Sequence, residues 1–267
     1  MTKIGIVGCA GRMGQMLLRE VLDSPAATLA GGSERPGGDA VGRDIGELIG
    51  RGPLGLVIGN DAKTLFETVD AVIDFTAPSA TVLHAALAAE TRKVHVIGTT
   101  GLSPEQEALL QTAATRTAIV WAPNMSVGVN LLLTLVEQVA RVLDPATYDI
   151  EIVEMHHRHK VDAPSGTALG LGRAAAAGRG VALEDVWRKS RDGITGARPS
   201  GEIGFATLRG GDVVGDHSVV FAADGERIEI THKASSRQVF AKGAIRAACW
   251  AHGKPPGLYS MRDVLGL

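Results

Sequence analysis

The chain has 267 residues, 45% of them hydrophobic and 21% charged, enough to bury a sizeable core and to form two domains of a soluble globular protein. Lys and Arg number 27 against 29 Asp and Glu, and the net charge of −2 gives no basis for attraction to nucleic acid or to a membrane. The two cysteines, Cys9 and Cys249, lie far apart without a CxxC or metal-type neighbour and read as buried thiols of a reducing compartment.

Met1-Thr2-Lys3 leads directly into Ile4-Gly5-Ile6-Val7, leaving no room for a signal peptide, so a cytoplasmic protein is expected. From there to about Pro123, short β-branched runs alternate with helical stretches. The pattern predicts strands at Lys3–Gly8, Thr28–Gly32, Leu56–Ile58, Ala71–Phe75, Val94–Ile97 and Ala118–Trp121, and helices at Arg12–Leu22, Ser79–Glu90 and Pro104–Thr115. The alternation predicts a doubly wound parallel sheet, and the lack of polar alternation suits strands buried on both faces.

Beyond Asn124 the pattern changes. The apolar helix Val127–Leu143 contains Glu137 and Arg141, which suits a core rather than a membrane span. A strand at Tyr148–Met155, a helix at Ser165–Ala176 and strands at Ile203–Arg209, His217–Ala222 and Arg227–Lys233 follow, with Ala223-Asp224-Gly225 as a hairpin signal. These predict a second, α+β domain with an antiparallel or mixed sheet. The stretch Ala177–Gly201 reads as a mobile loop. A final helix at Val239–His252 is expected to return to the first domain, giving 1–126 with 238–267 as one domain and 127–237 as the other.

Gly8-Cys9-Ala10-Gly11-Arg12-Met13-Gly14 follows the first strand and opens the first helix. Glycines at this spacing permit a tight turn, close backbone approach to a pyrophosphate and close helix–strand packing, so a dinucleotide site is predicted over a plain glycine turn. Glu34 ends the second strand, where a carboxylate accepts hydrogen bonds from the adenosine ribose and suits NADH. Arg35 beside it suits the 2′-phosphate of NADPH, with a surface ion pair as the alternative. Gly98, Thr99 and Thr100, then Ala122, Pro123, Asn124 and Met125, end later strands on the same predicted sheet edge and suit the nicotinamide side.

The run His156-His157-Arg158-His159-Lys160, followed by Pro164-Ser165-Gly166-Thr167, sets proton donors and fixed cations beside a predicted helix N-terminus. A metal site is disfavoured because Arg158 and Lys160 stand among the histidines, and no metal is expected. A solvated basic loop competes with acid catalysis joined to anion binding, which the rest of the chain favours. In that reading His156 and Lys160 donate protons, while His157, Gly166 and Thr167 hold a small carboxylate substrate. Lys233 and Arg237 read mainly as caps, with a second anion contact as the other possibility. His84 and His95 read as packed or surface residues.

GCAGRMG at 8–14, the GTTG loop at 98–101, APNMSVGVN at 122–130, the E-x-HHRHKVDAPSGTA run from Glu154, ITHKASSR and MRDVL closely resemble the dihydrodipicolinate reductases. The resemblance covers nearly the whole chain. It implies a Rossmann-type first domain, a mixed-sheet second domain that binds a dicarboxylate substrate and forms a homotetramer, and a place in diaminopimelate and lysine biosynthesis. It implies reduction of 4-hydroxy-tetrahydrodipicolinate with NADH or NADPH, with the same residues in the roles given above. Another imine or dicarboxylate reductase, or a dinucleotide-sensing regulator, is the competing reading; a regulator has no use for clustered proton donors.

Overall fold

The structure is a computed structural model that describes every residue from Met1 to Leu267. Its elements run β1 (Thr2–Val7), α1 (Arg12–Leu22), β2 (Ala27–Ser33), α2 (Ile45–Leu48), α3 (Ala62–Thr68), β3 (Ala71–Asp74), α4 (Pro78–Thr91), β4 (Val94–Ile97), α5 (Pro104–Ala114) and β5 (Ala118–Trp121). Next come α6 (Val127–Val142), β6 (Asp149–His156), α7 (Gly166–Arg179), α8 (Leu183–Val186), β7 (Trp187–Arg188), β8 (Ile203–Arg209), β9 (Gly215–Ala223) and β10 (Glu226–Ala234). The chain closes with α9 (Gln238–Ala251), β11 (Gly257–Tyr259) and α10 (Met261–Leu265).

One compact unit comprises Met1–Val127 with Gln238–Gly266. Its six strands are all parallel, in the order β11-β5-β4-β3-β1-β2. From β1 the chain runs outward to β2, then crosses back over β1 to β3 and continues to β4 and β5, so the switch point of this doubly wound sheet lies beside β1. Strands β3 and β4 are buried at all four positions, because helices cover both faces. One face carries α1 and α9, which bring Leu17, Leu18, Ala244 and Ala248 into a core with Ile4, Ile6 and Val96. The other carries α3, α4 and α5, which cover Val7 and Val72 with Phe66 and Ile97 and Ile119 with Leu110. Each fully buried aliphatic side chain of this kind contributes about 1.5–3 kcal/mol.

Two expectations fail here. Leu56–Ile58 is not a sheet strand: it makes only an isolated Asp44–Val57 bridge, and buried Ile58 props the loop that leads into α2. The sixth strand is β11, from the far end of the chain, whose three residues pair with Ala118–Val120. A run that short, between Pro256 and the Ser260 cap of α10, carries no periodic signal.

The other unit spans Gly128–Arg237, with Leu267 grouped to it. Its sheet order is β10-β9-β6-β8-β7, with β9 antiparallel to both β6 and β10 and β8 parallel to both β6 and β7. Along β6 burial alternates with period two. Ile150 and Ile152 join Ile203, Phe205, Val219 and Phe221 on the face covered by α6 and α7. Gly225, at φ +86°, turns β9 into β10. The segment 177–201, expected as a single loop, carries secondary structure in its first half. It completes α7, forms α8 and β7, and is pinned by Arg198 to Asp149 (2.6 Å) and Glu151 (2.8 Å) and by Arg191 to Glu151 (3.0 Å). No helix of the chain is long and apolar enough to cross a membrane.

Candidate functional site

In the first unit, a cleft of about 850 Å³ opens at the carboxyl ends of β1, β2 and β3, beside the switch point. Gly8, Ala10, Gly11, Glu34 and Arg35 line it, with Phe75, Thr76 and Ala77 opposite. Gly8 takes φ +64°, and a side chain there would put its Cβ 2.7 Å from Thr76 Cγ2. At Gly14 a Cβ would lie 2.2 Å from Gly8 O, so α1 seats against the turn only because that position has none. The caps point the same way. Asp44, Asp61 and Ser103 cap α2, α3 and α5 with their side chains, whereas α1 and α4 start at Gly11 and Ala77 without one. Those two N-caps line the cleft, so the amides at both helix starts are left for an anion. These features fit a dinucleotide pyrophosphate.

Glu34 folds back onto the turn, its Oε1 accepting from Ala10 N at 2.8 Å. Arg35 is exposed at the cleft rim. Cys9, Arg12 and Met13 belong to the same turn but lie outside the cleft lining. Cys9 is fully buried; burial, reinforced by the Glu34 charge, pushes its thiol up to about 12, so only its backbone can meet a ligand. Cys249 is half-buried rather than buried, with Sγ 3.7 Å from Ala26 O.

Gly98, Thr99, Thr100, Ala122, Pro123, Asn124 and Met125 lie at the carboxyl ends of β4 and β5, beyond the cleft lining. Gly98 faces the Phe75 ring, where a Cβ would sit 2.2 Å from Cε1. Ala122 and Met125 are buried, and Asn124 Oδ1 accepts from Ser126 N at 2.9 Å.

Beneath these loops is a cluster that the sequence did not suggest. Asp74, fully buried at the end of β3, accepts from Thr76 N (2.9 Å), Thr76 Oγ1 (2.6 Å) and Thr99 Oγ1 (3.4 Å). It also meets His84 Nδ1 at 2.8 Å and His95 Nε2 at 3.2 Å, so these histidines are neither surface nor merely packed residues. Burial opposes the Asp74 charge, but the imidazole bonds outweigh it and hold the carboxyl below its ordinary range. Burial keeps His95 neutral against the pull of Asp74.

In the second unit, the covered face of the sheet is apolar along the first half of β6 and ionisable at its end. Glu154 and His156 follow Ile150 and Ile152 on that face, and His217 stands opposite Glu154 on β9. Glu154, 1% exposed, accepts from His156 Nδ1 (2.5 Å), Ser165 N (3.0 Å) and both Arg209 Nη atoms (2.8 and 2.9 Å). Burial would raise this carboxyl, but its donors, Arg209 first, hold it below the usual range. The His156 ring meets His217 edge to face at 5.0 Å. Burial lowers the proton affinity of His156; Glu154 opposes, and the Lys160 and Arg209 charges add to the lowering. His217 shares a 3.1 Å hydrogen bond with Ser165 Oγ, and burial brings it down to about 4.

The basic run turns back over this cluster. His157 N donates to Val213 O (2.7 Å), Arg158 N to Gly211 O (3.2 Å) and Lys160 N to His157 O (3.1 Å). Lys160 Nζ reaches Asp162 Oδ1 at 2.8 Å, and Arg237 Nη2 approaches His157 Nε2 at 3.4 Å. Ser165 caps α7 through Ala168 N. Beside it Gly166 is exposed, and a Cβ there would meet nothing within 4 Å, so the helix start is open beside Thr167. His156, His157, Lys160, Gly166 and Thr167 are thus brought together. Glu154, Arg209, His217 and Asp162 join them unforeseen. The signal for Glu154 and His217 was a polar residue on the buried parity of an alternating strand.

A glycine cradle at a parallel-sheet switch point, with buried acid groups beside an open helix N-terminus, defines the class: an oxidoreductase on a Rossmann-type sheet with a second, mixed-sheet domain. Family models described as dihydrodipicolinate reductase, N-terminus and C-terminus, match residues 2–125 and 128–265. The chain is 59% identical over 264 residues to 4-hydroxy-tetrahydrodipicolinate reductase of Dinoroseobacter shibae, covering 99% of this chain and 98% of that one. It is 56% identical over 262 residues to its namesake in Brucella abortus, covering 98% of each. A dipicolinate-bound dihydrodipicolinate reductase from Paenisporosarcina sp. TG-14 superposes with a TM-score of 0.78 at 24% identity, over 98% of this chain and 99% of that one. The chain belongs to the dihydrodipicolinate reductase family.

Proposed function

We propose that this chain reduces 4-hydroxy-tetrahydrodipicolinate to tetrahydrodipicolinate in diaminopimelate and lysine biosynthesis, using NADH or NADPH. The observation that carries this reading is the buried His156, with Lys160, beside the open start of α7. It is supported by the activity named for relatives that match the whole chain. The pyrophosphate is held by the turn Gly8 to Met13, the adenosine ribose or its phosphate by Glu34 and Arg35, and the nicotinamide side by Gly98, Thr99, Thr100 and Ala122 to Met125. When bound, the reduced nicotinamide supplies a hydride to the conjugated imine that is left once the substrate's 4-hydroxyl has departed as water. The enamine-type anion left on the substrate must gain a proton, and His156 and Lys160 are the donors. His157, Gly166 and Thr167 hold the substrate carboxylates, the last two through the amides that begin α7. The neighbour's bound dipicolinate is a dicarboxylate of the size this reading requires.

The second unit is also assigned the contacts of a homotetramer. Its sheet leaves Val153, Met155, Leu208 and Val220 on the face that α6 and α7 do not cover, which supports that assignment. A cytoplasmic location follows from the biosynthetic role. The deciding experiment follows the 340 nm absorbance of NADH and NADPH with freshly formed 4-hydroxy-tetrahydrodipicolinate. Consumption of either cofactor that depends on this substrate is expected; none with either overturns the reading.

A further inference from the structure

His156 carries its acid role in a setting that works against holding a second proton. Its Nδ1 lies 2.5 Å from Glu154 Oε2, so Nδ1 is the protonated nitrogen and Nε2 the one left for a ligand. Gly215 keeps Nε2 uncovered, since a Cβ there would lie 3.0 Å from it. A lone carboxylate would pull a second proton onto the ring. Here Arg209 binds both oxygens of Glu154, and Ser165 N takes a further place on Oε1, so the carboxylate charge is already largely spent.

The other groups that face the ring disfavour its charge. His217 of β9 meets it edge to face, and His232 of β10 stands across from His217. Lys160 lies on the loop above, its charge partly balanced by Asp162. Against these, only a dianion arriving at the open helix start changes the local balance.

We propose that Glu154 is the positioning residue for His156, fixing its Nδ1–H tautomer, and that with Arg209 clamping Glu154 the imidazole rests neutral and takes its second proton from solvent only when the dicarboxylate binds. The inference rests on the functional reading above. The proton balance closes. One proton enters Nε2 from water as substrate binds, passes from Nε2 to the substrate after hydride transfer, and leaves His156 neutral again. The acid is therefore loaded by its own substrate.

The test uses 15N-histidine-labelled holoenzyme at pH 7.5, with the His156 signals assigned through His156→Gln. The ligand-free protein should show His156 protonated at Nδ1 alone. Saturating pyridine-2,6-dicarboxylate should convert it to the doubly protonated ring. Titration calorimetry in buffers of different ionisation enthalpy should then show about one proton taken up per site. Glu154→Gln should mix the tautomers and lower kcat about 10²-fold. Arg209→Met should do the opposite to the ring, charging it before any ligand is added; a residue that served only to brace the fold would give no such opposed signatures. A wild-type His156 that rests as the Nε2–H tautomer, is already doubly protonated, or stays neutral with the dicarboxylate bound overturns the inference. Wild-type turnover, measured in parallel, tests the functional reading separately. An active enzyme with an uncharged ring overturns only this inference, whereas an inactive protein overturns the reading and, with it, the acid role of His156, whatever the charge on the ring.

Discussion

In the proposed reading, Arg35 and Glu34 divide the choice of cofactor between them. Glu34 is already committed to Ala10 N, while Arg35 stands exposed at the rim of the cleft, where only a 2′-phosphate would engage its fork. Arg35→Ala should therefore lower kcat/KM for NADPH about tenfold more than for NADH, read from initial rates with each; equal losses would remove Arg35 from this role. At the other site, His156→Gln and Lys160→Ala should lose about 10²–10⁴-fold in kcat while cofactor affinity by fluorescence titration stays near wild type. Thr167→Ala, which weakens a ground-state contact, should mainly raise the substrate KM. If the first two variants also raise only KM, the run is an anion clamp. Much of this was legible because cations and imidazoles crowd into one stretch of sequence. Glu154, Arg209 and His217 come from three strands and meet only through pairing register, which no local window contains. His84 and His95 were misread for the same reason: their partner, Asp74, looks like any strand-ending acid until β3 and β4 are set side by side.

Helix α9 shows how closely an element can be fixed by the absence of one carbon. At Gly243 a Cβ would fall 1.7 Å from Met125 O, inside the loop that follows β5. Replacing a helical glycine by alanine gains about 1 kcal/mol in propensity, but forcing atoms into a packed contact costs about 1–3 kcal/mol, so the clash wins. Gly243→Ala should lower the Tm by several degrees. Gly170→Ala in α7, where the nearest atom is Leu133 Cδ2 at 3.4 Å, should raise it. Paired thermal melts decide both. The long helices and the buried strands of the first sheet were readable to within three residues, because periodicity or β-branched runs agree with the flanking Gly, Pro and Ser. Two-, three- and four-residue pieces such as β7, β11 and α2 are held by neighbours rather than by their own pattern, and the sequence is silent on them.

Acidity acts on the molecule as a whole. The proton affinity of His217 drops from 6.5 to about 4 in the fold, and His95, His156 and His232 are lowered as well, each chiefly by burial. In every case the unfolded chain protonates first as the pH falls, so folding stability is full above about pH 7 and declines through the window from 6.5 toward 4. His217 alone should contribute about 2 kcal/mol of loss between pH 7 and pH 5. Asp74 adds a separate term, present above the carboxylate's ordinary 3.8 and lost only at more acid pH. Urea unfolding at pH 7 and pH 5 should show the difference shrinking by about that amount in His217→Gln; an unchanged difference would mean that His217 does not stay neutral in the fold.

The first sheet borrows its last strand and one of its covering helices from the C-terminal end of the chain. On the ribosome, β1 to β5 therefore emerge long before α9 and β11 exist, and the face of Ile4, Ile6 and Val96 must wait with only α1 over it. The second unit, made from one uninterrupted stretch, is free to fold in that interval. Nascent chains halted near Arg237 should accordingly show a protease-resistant middle segment and a protease-sensitive beginning, and both should become resistant once residues 238–266 have been added.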